Sequence, residues 1–146
     1  MVVKGVVQSL STHLNEVHLT TELGRTLRQD FLSNSLPISP RRADQISQEV
    51  SAAFLEFLGS EDEEAARTCG QRLAAEGLGH RSILTMTETL RQVCWESDNP
   101  VTLSPAAGRY VTAVLEGYMA SREASLLQEQ TRTMHAFQRA QKRQDQ

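Results

Sequence analysis

The strongest constraint in this 146-residue sequence lies toward its C-terminal end. From Pro105 onward no further proline occurs, and Gly108 and Gly117 are the only glycines. About forty residues can therefore form one helix, near 60 Å long at about 1.5 Å per residue. Its first half sets Tyr110, Val111, Val114, Leu115 and Tyr118 at helical spacing. Its second half is mainly Gln, Arg and Glu, with sparse apolar positions at Leu126, Leu127, Met134 and Phe137. A domain of this size cannot cover so long a rod. The far end is expected to protrude, to pair with a second copy, or to run on into a further domain. The close in Gln-Lys-Arg-Gln-Asp-Gln carries no cap, and we expect a chain cut from something longer.

The rest of the chain also reads as helix. Aromatic residues make up 5%, while Leu, Ala, Gln, Glu and Arg are plentiful. A first helix is expected from about Val6 to Phe31, on Leu10, Leu14, Val17, Leu23, Leu27 and Phe31, with a break near Thr20, Thr21 and Gly24. Ser39-Pro40 is a start signal, because serine accepts from an orphan N–H and proline at the first position loses no bond. The helix it opens turns Ala43, Ile46, Val50, Ala53, Phe54, Phe57 and Leu58 inward and stops at Gly59. Ser60-Glu61-Asp62-Glu63 reads as a capping box, with the acids Glu61 to Glu64 in the first turn, where the helix dipole favours them. That helix carries Ala65, Cys69 and Leu73 inward and ends near Gly77. Another follows from Arg81 to Trp95, on Ile83, Met86, Leu90, Val93 and Cys94, with Trp95 as a half-buried anchor. Asp98-Asn99-Pro100 reads as a loop, and Ser104-Pro105 as the start of the long helix.

Composition narrows the function. At 39% hydrophobic and 23% charged, the chain fits one globular domain that buries roughly 70% of its unfolded surface without staples. A net charge of −3 gives no basic field for nucleic acid. Cys69 and Cys94 are the only cysteines, too few for a disulfide scaffold or paired metal ligands, and they read as small buried hydrophobes. The run Met1 to Val7 is too short for a signal peptide, and no stretch approaches the ~18 apolar residues of a membrane span, so a cytoplasmic location is expected. His13, His18, His80 and His135 are the only histidines, and no two stand three or four apart, so no metal site is expected. No Gly-x-Ser-x-Gly elbow occurs, and Gly77-x-Gly79 lacks the third glycine of a phosphate loop. No catalytic residue stands out, and an enzyme is not expected. Arg139, Lys142 and Arg143 read as a solvated face.

Three stretches carry a resemblance: Arg41-Arg42-Ala43-Asp44 through Phe57-Leu58, Arg72-Leu73-Ala74-Ala75-Glu76-Gly77-Leu78-Gly79, and Leu115-Glu116-Gly117-Tyr118. On these, residues 1–125 resemble the N-terminal sensor domains of RsbR-type stressosome proteins and related bacterial regulators. The resemblance implies an all-α, globin-like helical bundle that has lost haem, a homodimer, and a long C-terminal exit helix. Residues 126–146 would then be a helical linker toward an output domain or partner signalling protein. The implied function is a non-catalytic sensor and dimerisation domain; the alternative is a haem- or lipid-binding globin-type sensor, since some relatives of that fold hold an apolar ligand such as a fatty acid. Neither the Glu61–Glu76 helix nor the Pro40–Leu58 helix carries a histidine, which leaves His80 as the one stand-in for an axial haem ligand, and no cofactor is expected. Phe54, Phe57, Leu58, Ile83, Leu90, Tyr110 and Val114 are the candidate lining of an apolar pocket. Tyr118, Leu126, Leu127, Met134 and Phe137 are the candidate dimer seam.

Overall fold

Three of the helix starts lie where a side chain accepts from the first backbone N–H groups, and the computed structural model shows each of them. Ser39 Oγ accepts from Arg42 N at 3.1 Å, Asp62 Oδ1 from Glu64 N and Ala65 N at 3.1 and 3.3 Å, and Asn99 Oδ1 from Thr102 N at 3.4 Å. The structure describes residues 16–29 and 39–145. Among these it is all-α, with no strand: α1 (Glu16–Gln29), α2 (Pro40–Ser60), α3 (Glu63–Ala75), α4 (His80–Trp95) and α5 (Pro100–Gln144). None of the described helices is long and apolar enough to cross a membrane.

Four local expectations give way. The cap of α3 is Asp62, not Ser60, because α2 runs through Gly59 to Ser60 and ends on Glu61 in the left-handed region (φ 54°), whose N–H returns to Phe57 O at 2.8 Å. Only Glu63 and Glu64 of the acidic run lie in the first turn. The long helix starts at Asn99-Pro100 rather than Ser104-Pro105, and Pro105 sits inside it. Pro100 loses no bond at the first position, whereas Pro105 gives up one helical N–H and is tolerated near the helix start. The fourth concerns α1, which runs unbroken through Thr20, Thr21 and Gly24. There Leu19 is buried while Val17 stands exposed; Leu10, Leu14 and Phe31 lie outside the described residues. Gly24 makes no break: it is buried against α2, and a Cβ there would stand in ordinary contact, 3.4 Å from both Asp44 Oδ1 and Ser47 Oγ.

The helices close a ring around one core. α1 packs on α2 and α4, α2 on α3, α3 on α5, and α5 on α4, while α2 reaches α5 across the centre. On α3 the inward residue is Ala66, with Ala65 exposed. The closest contact in the ring is α3 on α5. A Cβ on Gly70 would stand 2.8 Å from Tyr118 N and closer still to Val114 O. A Cβ on Gly117 would likewise meet the backbone of Arg67, with its carbonyl carbon at 2.7 Å. Each glycine lets the other helix's backbone in, and the buried Ala66, Ala74 and Ala113 extend this small-residue surface.

Candidate functional site

α5 has two halves of different character. Up to Tyr118 it supplies Leu103, Ala107, Tyr110, Val111 and Val114 to the core. From Glu123 to Asp145 every side chain is exposed, a free arm of about 34 Å at 1.5 Å per residue. The boundary between the halves is clamped. Arg67 of α3 donates from Nε to Glu116 at 3.0 Å and from Nη1 to Glu64 at 2.7 Å, and these carboxylates, Glu116 foremost, raise its pKa. Tyr118 donates its hydroxyl to Leu78 O at 2.5 Å, pinning the corner between α3 and α4 to the root of the arm. Burial pushes the Tyr118 hydroxyl up from its ordinary pKa and keeps it a donor.

Tyr118 therefore belongs to the chain's own core and does not face outward with the other expected seam residues. Leu126, Leu127, Met134 and Phe137 do face outward, at 53 to 64% exposure. With Leu127 and Met134 as a positions and Phe137 as d, the residues at a, d, e and g from Ala124 to Gln141 are all uncharged. Glu129, Arg132 and Arg139, the only formal charges in that span, fall at c, f and f. An uncharged face of this kind is what helix-on-helix packing requires. The same face continues back along the body. At 100° per residue, Val101, Pro105, Gly108, Thr112 and Met119 share one arc of about 100° with the arm's apolar residues.

All seven residues expected to line an apolar pocket are buried in the single core cluster. Phe54 and Phe57 lie against Tyr110 with ring centroids 5.1 and 5.3 Å apart. Phe57 and Tyr110 also floor a hollow of about 140 Å³ beside the turn from α2 to α3, with Ala66 and the rim residues Glu56 and Asp62. Phe54, Leu58, Ile83, Leu90 and Val114 do not line it. The Tyr110 hydroxyl, almost wholly buried, donates to Cys69 Sγ at 3.9 Å, a weak acceptor. Desolvation raises its pKa and that of Cys69, and pushes Cys94 up to about 12, so both free cysteines are held as thiols.

His80 opens α4 at the surface, and His18 and His135 are also exposed; His13 lies outside the described residues. No group of three or more His, Cys, Asp or Glu side chains able to hold a metal occurs among the described residues. Two features escaped the sequence. Trp95 is 66% exposed instead of half-buried, and it lines a cleft with Arg91, Ser104 and Gly108. The α3–α5 glycine contact escaped because a search for large apolar residues at helical spacing skips small ones, although Ala66-x-x-x-Gly70-x-x-x-Ala74 is plain in the sequence. Comparisons with family models, with curated proteins and with solved structures give no match.

Proposed function

We propose that this chain is a non-catalytic sensing and dimerisation module of a cytoplasmic, bacterial-type signalling regulator, with α5 as the element that carries the signal to an output domain or partner. The observation that carries this reading is the continuity of α5. One unbroken helix runs from the centre of the core, through the Gly70–Gly117 contact and the Tyr118 clamp, into an arm with an uncharged face. A rigid rod rooted in a core moves as a unit when the packing at its root shifts. A globin-like ancestry agrees with the all-α ring but is carried by the resemblance alone. The hollow on Phe57 and Tyr110 has room for a small molecule only. A haem or an acyl chain would need Phe54, Leu58, Ile83, Leu90 and Val114 to part.

The test is native mass spectrometry of the full chain beside a variant truncated after Ser121. The expected result is a dimer for the full chain and a folded monomer for the truncated one, with thermal melting of the core little changed. A full-length monomer, or a truncated chain that stays dimeric, overturns the proposal. A small adduct on the full chain would identify the occupant of the hollow by its mass.

A further inference from the structure

We propose that the dimer is antiparallel, each arm lying in the groove along the outer face of its partner's α5. This deepens the dimer reading above and rests on it. Two clefts, of about 450 and 340 Å³, adjoin along α5 and share Arg91 and Gly108. Their floor is the outward side of α5, and α3 and α4 form the walls through Arg67 on one side and Arg91 and Trp95 on the other.

Three observations say what fills this groove. The first is shape. Nothing lies within 4 Å of a Cβ built on Gly108, so the groove floor is bare helix backbone open to an incoming side chain. In a side-by-side parallel pair, two concave grooves would face each other and stay empty. The arm, a bare helix, is the convex shape the groove takes. The second is length. The rooted part of α5 (residues 100–122) and the free arm (123–145) are nearly equal, so an antiparallel pair centred near Arg122 covers the outward face from end to end. That alignment brings Phe137 of one chain opposite Gly108 of the other. The third is charge. Beyond Ala124 the chain has Arg132, Arg139, Lys142 and Arg143 against Glu129 and Asp145, a net of +2, which leaves −5 on residues 1–124 of a chain whose total is −3. Arm on arm sets like charge on like; arm on body sets opposite charges together. The groove walls are locally balanced, Glu63, Glu88 and Glu116 against Arg67, Arg91 and Arg109, and do not oppose it.

Two variants of the full chain test this. Chains carrying Gly108→Cys and Phe137→Cys are mixed and oxidised; Cys69 and Cys94 are buried and stay in place. A disulfide between the two different variants is expected, with little cross-linking of Phe137→Cys to itself. Self-cross-linking of Phe137→Cys in a dimeric protein overturns the antiparallel arrangement and leaves the proposed function standing, whereas a wild-type monomer sinks both. The second variant, Gly108→Trp, should fold with a melting temperature no lower than that of the monomeric chain truncated after Ser121, because within its own chain the side chain enters open space. It should also weaken the dimer at least 100-fold. A Gly108→Trp dimer as tight as wild type overturns the proposal.

Discussion

Tyr110 and Tyr118 occupy the same helix and are almost equally buried, yet their hydroxyls have different work. Tyr118 meets a backbone carbonyl at the corner between α3 and α4, at 2.5 Å; Tyr110 meets only a thiol, at 3.9 Å. Removing the first leaves Leu78 O without its side-chain donor, while removing the second deletes a hydroxyl that is already poorly matched. Tyr118→Phe should therefore cost about 1–2 kcal/mol in urea unfolding. Tyr110→Phe should change stability by under about 0.5 kcal/mol, since its ring keeps Phe54 and Phe57 in contact. Equal losses in the two variants would show that the clamp at the root of the arm is not a distinct feature. Neither role was legible in the sequence, where both tyrosines read as one apolar face and Tyr118 as a seam residue. Periodicity tells which side of a helix a residue is on; it does not tell where its neighbour's carbonyl lies.

Glycines separate the two kinds of helix contact. Gly70→Ala and Gly117→Ala each drive a Cβ into the opposing backbone, which cannot give as a side-chain tip can. Each should destabilise by 3 kcal/mol or more, at or above the upper end of about 1–3 kcal/mol typical of overpacking. Gly108→Ala meets nothing within its own chain and gains helix propensity, so in the monomeric chain truncated after Ser121 it should stabilise by roughly 0.5–1 kcal/mol. Thermal denaturation of the three variants checks the order, and a stable Gly117→Ala would show that α3 and α5 are not held backbone to backbone. The element scale is where the sequence was most readable. The Ser39-Pro40 start and the inward faces of α2 and α4 follow from capping and spacing, and the long helix follows from the absence of proline after Pro105. Its errors cluster where two start signals compete within a few residues. Ser60 and Asp62 can each cap, as can Asn99 and Ser104, and the choice falls to how far the preceding helix or loop runs, which packing decides. The arm's exposed apolar face was legible for the same reason the groove was not: the arm is one helix, whereas the groove is made by three.

At the scale of the molecule, the core keeps its acids neutral. Burial raises the pKa of Cys69, Cys94, Tyr110 and Tyr118 above their ordinary values, Cys94 to about 12. For each, the unfolded chain loses its proton first as pH rises. The stability these groups contribute is thus fully present below their ordinary pKa values and is lost as pH climbs through the folded ones. Stability should hold to about pH 8.5 and then fall, with a slope approaching about 1.4 kcal/mol per pH unit for each group ionised only in the unfolded state. The acid side offers no matching lever of that size in Glu22, whose carboxyl is held below its ordinary range chiefly by the hydrogen bond from Arg25 but is solvent-exposed. All four of these residues lie at or before Tyr118, so the arm takes no part in the effect. Urea midpoints measured from pH 8 to 11 should trace the same decline for the full chain and for the chain truncated after Ser121, once both are made monomeric by dilution. A flat curve would show that the thiols and phenols are not sealed in, and a decline confined to the full chain would place the arm within the folding unit instead of outside it.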